Sequence, residues 1–285
     1  MKSTRLGSAL GKPAMRTVIE PRHGWYLVDL QELRRYRDLF YFLVRRDVRV
    51  LYAQTILGFA WAVLQPFFSM IVFTVVFGGL AEMPSDGLPY AVFSFAGLVP
   101  WTYFSNALTT ASQSLIGNTA LLTKVYFPRL FIPMTPVVAK LVDFAIALVI
   151  LLGLMAWYGI WPTWLVVWLP LLVLLMLLTA GGMGMWLAAL GIQYRDVRFA
   201  MGFVTQLLMY AAPVVWPASL IPAEYRILYG LYPMAGVIEG FRAALLGSAP
   251  MPWDLIAAGL VSAAAIFAAG VLYFRQTERV FADVA

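Results

Sequence analysis

The few ionisable residues inside the apolar stretches of this sequence come in pairs. Lys140 and Asp143 stand three apart, a spacing that lets two side chains meet on one helix face. A proton relay would place carboxylates near mid-membrane. Asp143 is the one acidic residue within an apolar run and carries its own cation, so the pair reads as structural. Glu239 and Arg242 repeat the spacing and read as a local ion pair, not a substrate site. His23 is the single histidine and there is no cysteine, which leaves no usual zinc ligand set, no thiolate chemistry and no disulfide framework. The nearest match to a phosphate-binding loop is Gly7-Ser-Ala-Leu-Gly-Lys12-Pro13. It has three residues between the glycines instead of four, and Pro where Ser or Thr would hold magnesium. No catalytic group, metal or cofactor is therefore expected in this chain. If ATP drives the protein, ATP and Mg bind to a separate ATPase.

A further polar set bears on transport. Asn106, Thr109, Thr110, Ser112, Gln113, Ser114 and Asn118 close one apolar run, with Thr102, Asn106, Thr109 and Gln113 on a single helical stripe. Such a stripe lines a wet path or hydrogen-bonds a neighbouring helix, and the spacing does not choose between these. Phe59, Trp61, Phe67 and Phe68 lie in the preceding run, and Trp101, Tyr103 and Phe104 lie beside the stripe. Aromatic faces stack on sugar C–H surfaces through the weak, repetitive contacts a sliding glycan needs; lipid-facing or core packing is the ordinary alternative for each. These residues, with Asn106, Thr109 and Gln113, form the candidate substrate path. Two short charged segments, 121–129 and 193–198, are suited to dock on a partner and carry its motion inward.

The elements that must position these residues follow from composition. The chain has 285 residues, 62% hydrophobic and 12% charged, with mean hydropathy +0.82. Soluble domains carry about 25% charged residues, so the chain is expected to be an all-α integral membrane protein. Residues 1–28 read as a cytoplasmic tail. Residues 29–56 form an amphipathic interfacial helix, with Leu33, Tyr36, Phe40, Leu43, Val44, Val48 and Leu51 recurring among arginines. Residues 57–285 hold six expected spans at 59–80, 90–112, 136–157, 164–190, 199–216 and 255–274. Of the 20 Lys and Arg, 18 fall before span 1, between spans 2 and 3 or at the start of span 3, between spans 4 and 5, or after span 6. The charge rule then puts both termini in the cytoplasm and makes the net +6 a topology signal, not a nucleic-acid footprint. The apolar segment 217–254 contains two short helical patterns, 223–231 and 235–246, broken at Pro233. They are too short to span and suit helices re-entering from the outer surface. Gly181, Gly184 and Ala188 permit close helix packing.

Several motifs together carry a family resemblance. They are Leu43-Val-Arg-Arg46-Asp47, then Leu51-Tyr-Ala-Gln-Thr-Ile-Leu57-Gly58-Phe-Ala-Trp61-Ala-Val-Leu-Gln-Pro66, Lys124-Val-Tyr126-Phe127-Pro128-Arg129 with Pro133, and Tyr194-Arg195-Asp196-Val197. Ala212-Pro213-Val214 with Pro217, Ile221-Pro222 and Tyr225 follow, and Pro233-Met-Ala-Gly-Val-Ile-Glu239-Gly-Phe-Arg242 closes the set. From about Asp29 to Arg279 the chain resembles the permease subunits of ABC-2 type exporters of O-antigen, capsule and teichoic acid polysaccharides. Tyr232 departs from the Asn found in many members. The resemblance implies a homodimer with two copies of an ATPase subunit, a lipid-linked glycan as substrate and a multi-pass place in the bacterial inner membrane. It implies that Tyr126, Phe127, Pro128 and Arg129 meet the ATPase. With the flanking charges, the expected coupling set is Arg45, Arg46, Asp47, Lys124, Tyr126, Phe127, Pro128, Arg129, Arg195 and Asp196. An ABC-2 permease for a drug or small lipid and a proton-coupled carrier are the alternative readings.

Overall fold

A computed structural model describes residues 30–52, 60–119 and 127–278, and these contain helices and no strand. At one end lie α1 (Leu30–Arg35) and α2 (Arg37–Tyr52). The Tyr36 amide donates to the Glu32 carbonyl and the Phe40 amide to that of Tyr36, so the two run on as one rod. The expected period holds: Leu33, Tyr36, Leu39, Phe40 and Leu43 face the bundle, and Arg34, Arg35, Arg37, Arg45 and Arg49 face out.

The long helices follow. α3 (Ala60–Phe73) widens into a π-helical turn over Thr74–Leu80, where the Thr74 hydroxyl takes the Met70 carbonyl at 2.8 Å. α4 is Tyr90–Gly117, α5 is Phe131–Ala139 and α6 is Leu141–Trp157. The Lys140 amide bonds the Pro136 carbonyl at 3.0 Å and the Phe144 amide that of Lys140 at 3.1 Å, so α5 and α6 make one apolar rod. A 3-10 turn, Trp164–Trp168, leads into α7 (Leu169–Gln193), followed by α8 (Asp196–Ala211). Two short helices, α9 (Ala223–Gly230) and α10 (Pro233–Leu246), precede α11 (Trp253–Thr277). Proline opens α10, and Gly247 closes it at φ 66°, a left-handed position glycine adopts without steric cost.

Among the described residues four segments are long and apolar enough to cross a membrane: Val63–Leu80, Phe131–Trp157, Trp164–Gln193 and Trp253–Thr277. The two other expected spans differ for separate reasons. α4 has 28 residues, ample length, but its polar stripe dilutes its apolar character. α8 has 16 residues, about 24 Å at ~1.5 Å per residue, against a hydrocarbon core of about 30 Å. It stops at Ala211 because Ala212 precedes Pro213 and turns extended, with ψ 145°. The third rod begins at Phe131, not at 136: Pro133, in the first turn of α5, costs no helical donor, and Pro136, inside the helix, costs one.

α7 is the centre of the packing, lying against α11 on one side and α4 on the other. A Cβ on Gly270 would sit 2.2 Å from the Gly182 carbonyl oxygen, so the α7 and α11 backbones touch there. Gly181 faces Met134 and Gly184 faces Ala111, which extends the small-residue contact expected on this helix. α10 lies between α4, α7 and α11 with every residue buried. One core joins α4, α6, α7 and α10. A second, at the α2 end, joins Leu43, Leu115, Phe127, Phe131, Met185 and Phe274.

Candidate functional site

The α2 end gathers most of the described residues of the expected coupling set. Phe40 meets Phe131 with ring centroids 5.0 Å apart, which seats α2 on α5. Arg46 bonds Asp47 through Nε at 3.1 Å and Nη2 at 2.9 Å, and the same Nη2 donates to Asn118 Oδ1 at 3.0 Å. Asn118 caps α4, its Nδ2 donating to the Ser114 carbonyl at 2.8 Å. Phe127 and Pro128 are buried, and Phe127 plugs the second core. Arg129 reaches Glu278 beyond the end of α11, donating to its main-chain carbonyl and approaching its carboxylate at 3.8 Å. Burial pushes the Glu278 carboxyl above its ordinary range, against the downward pull of Arg129 and Arg275. Arg45 is exposed on α2, and Arg195 and Asp196 are exposed where α8 begins. Lys124, Tyr126 and Phe59 lie outside the described residues. Asn118 and Glu278 were not legible as partners, because they stand 72 and 149 residues from the arginines that hold them.

The expected path residues divide in two. Asn106, Thr109 and Gln113, with Thr102, run half-exposed along α4. None of these side chains makes a hydrogen bond among the described residues, so the stripe is open within the chain. Trp61, Phe67 and Phe68 are exposed on α3. Trp101, Tyr103 and Phe104, by contrast, are 4%, 2% and 0% exposed and belong to the core. Tyr103 donates to the Val137 carbonyl at 2.9 Å and packs edge-on against Phe144 at 5.7 Å. Within the chain these three brace the stripe helix and do not line a surface, because neighbours surround that side of α4. Lys140 Nζ meets Asp143 Oδ2 at 2.8 Å, the structural pair expected from their spacing.

The opposite end is built around Arg242, buried to 1% side-chain exposure. Its Nη1 donates to Glu239 Oε1 at 2.9 Å and to the Trp216 carbonyl at 3.4 Å. Nη2 donates to the Val214 carbonyl at 2.7 Å, Nε to that of Phe93 at 3.3 Å, and the guanidinium lies 3.6 Å above the Phe93 ring. Glu239 Oε1 also accepts the Ala218 amide at 3.1 Å. Room for this comes from Gly97, where a Cβ would meet Nη2 at 2.8 Å. Three tyrosines hold neighbouring carbonyls: Tyr232 takes Leu208 at 3.1 Å, Tyr229 takes Ala211 at 2.8 Å and Tyr90 takes Val215 at 2.7 Å. The Ala211 and Val215 carbonyls, at the end of α8 and in the turn after it, are satisfied this way, while the Leu208 carbonyl also accepts the Ala212 amide at 3.0 Å. The Glu239–Arg242 pair was legible from its spacing; the carbonyl partners were not. The Ala212-Pro213 break, which ends α8 just before the Val214 and Trp216 carbonyls, was the available signal for those two; the Phe93 carbonyl belongs to α4. Among the described residues no three His, Asp or Glu side chains converge into a metal-ligating group.

Comparison with known proteins matches residues 38–246 to the family model described as ABC-2 type transporter. The O-antigen export system permease protein RfbA of Myxococcus xanthus is 31% identical over 252 residues, covering 87% of this chain and 96% of that protein. A Klebsiella pneumoniae protein of the same name is 23% identical over 248 residues, covering 87% and 95%. The polysialic acid transport protein KpsM of Escherichia coli is 23% identical over 209 residues, covering 72% and 80%.

Proposed function

The chain belongs to the ABC-2 type transporter family, and from that premise we propose that it is the permease subunit of an ATP-driven exporter moving lipid-linked polysaccharide, O-antigen or a related surface glycan, across the bacterial inner membrane. The observation that carries this reading is its nearly end-to-end likeness to a permease named for O-antigen export. In this reading six spans cross the bilayer: α3 with its π turn, α4, α5–α6, α7, α8 and α11. The α2 end and both termini face the cytoplasm, as the basic residues favour. α9 and α10 enter from the outer side without crossing; α10, at 14 residues, reaches about 21 Å at ~1.5 Å per residue.

Two copies pair, each with an ATPase subunit that binds ATP and Mg. The α4 stripe supports a path between the copies, since its polar side chains lie half-exposed and make no hydrogen bond among the described residues. Trp61, Phe67 and Phe68 on α3 supply exposed aromatic faces for sugar rings. ATP binding in the partner pushes α2 and the segments around Arg129 and Arg195–Asp196, and the spans part. The test is deletion of the gene, with surface and cytoplasmic glycan separated by fractionation. Surface polymer disappears while lipid-linked polymer accumulates inside. Unchanged glycan in both fractions refutes the reading.

A further inference from the structure

The two coupling segments grip two different parts of the bundle. Arg46 on α2 reaches Asn118, the last turn of α4. Arg129 reaches Glu278, just past α11. α11 is fused to α7 by the Gly182–Gly270 contact, so a pull on Glu278 moves the α7–α11 pair as a body. A pull on Asn118 moves α4, the helix that carries Thr102, Asn106, Thr109 and Gln113.

We propose that Asn118 is a positioning residue that passes the motion of α2 to the stripe on α4 through its bond to Arg46. This rests on the exporter reading and adds to it the residue through which force reaches the path. The geometry separates the tether from a mere helix cap. The Asn118 side chain uses two atoms for two tasks: Oδ1 accepts from Arg46 at 3.0 Å, and Nδ2 donates to the Ser114 carbonyl at 2.8 Å. Asp47 clamps Arg46 from the other side through both Nε and Nη2, which fixes the guanidinium in the direction of Asn118. Asn118→Ala removes both tasks. Asn118→Asp keeps the acceptor, turns the contact into an ion pair and loses the donor to Ser114.

The sequence has no cysteine, so Gln113→Cys places a single thiol on the half-exposed stripe. The full chain carrying it is assembled with its partner ATPase in vesicles, and thiol labelling is timed with and without ATP. A coupled site should change its labelling rate about fivefold or more. The response persists in Asn118→Asp, and vanishes in Asn118→Ala and in Arg46→Ala. An unchanged response in Asn118→Ala overturns the tether, as does no response in the parent chain. Equal loss in Asn118→Ala and Asn118→Asp assigns the residue to capping and overturns it as well. Glycan export from the same vesicles is scored separately. A tether-dependent response without glycan export refutes the polysaccharide reading and leaves the tether standing.

Discussion

Replacing Arg242 by methionine tests the construction of the α10 end. The side chain is 1% exposed and donates to Glu239 and to three main-chain carbonyls. Methionine fills most of the volume and supplies none of the donors. Glu239, itself 9% exposed at the side chain, keeps only the Ala218 amide at 3.1 Å. Removing one partner of a buried pair costs about 3–5 kcal/mol, because a charge stays buried without compensation. The orphaned Val214 carbonyl adds to this. At about 2–4 °C per kcal/mol in domains approaching this size, the melting temperature falls by at least about 6 °C. The assay is a tryptophan-fluorescence melt of the purified chain in lipid nanodiscs. In the double variant Arg242→Met/Glu239→Leu the charge is gone, and about 0.5–3 kcal/mol of coupling returns. A single variant that melts with the wild type, or a double variant whose losses simply add, refutes the pair as a unit.

Three further outcomes follow from the same geometry. Gly270→Ala presses a methyl into the Gly182 carbonyl and costs about 1–3 kcal/mol from overpacking; Gly153→Ala, inside α6 with nothing within 4 Å, does not lower the melt, since alanine is the better helix former by about 0.5–1 kcal/mol. The Glu278 carboxyl sits above its ordinary value of 4.5, so its contribution to stability is full below that value and is lost as pH rises through the raised one. Glu278→Gln therefore removes a fall in melting temperature that the wild type shows on raising pH from the ordinary carboxylate range, and identical pH profiles would contradict this. Asn106→Leu with Thr109→Val removes no side-chain hydrogen bond among the described residues, so the melt holds while glycan export drops; a lowered melt would place the stripe in helix packing instead.

The sequence signals that held are local ones. Lys140–Asp143 and Glu239–Arg242 sit one helical turn apart, so spacing alone brings each pair together. The expected break at Pro233 falls where α10 begins. The misplaced boundaries come from prolines weighed the wrong way. The expected start at Pro136 leaves out the first turn of a helix that holds Pro133 at its third position and Pro136 at its sixth. Pro213 looks tolerable, yet ends α8 by forcing Ala212 extended. For Trp101, Tyr103 and Phe104 the sequence left core packing open beside a path role, and the structure buries all three. α4 is covered on one side and open on the other, and its apolar residues do not say which neighbour covers them. The arginine tethers were hidden for a related reason: Arg46–Asn118 and Arg129–Glu278 join segments that only the folded bundle brings together.

α4 is held at both ends by an arginine from a segment outside the long helices, and the two holds differ in strength. At Phe93 and Gly97 the guanidinium of Arg242 is buried, ring-stacked and paired. At Asn118 the Arg46 side chain is 43% exposed, and water competes for the same donors. Exposed charged contacts contribute about 0.2–1 kcal/mol, well below the cost of breaking the buried set. The Asn118 end is therefore the one that yields under load, and the Phe93 end is the pivot. Hydrogen exchange of the chain in nanodiscs measures this directly. Amides at 114–118 exchange before those at 93–97. Arg46→Ala speeds the first group alone, and Arg242→Met speeds the second. Equal protection at both ends in the wild type, or an effect of Arg46→Ala spread along the whole helix, would show that α4 moves as a rigid post with no pivot.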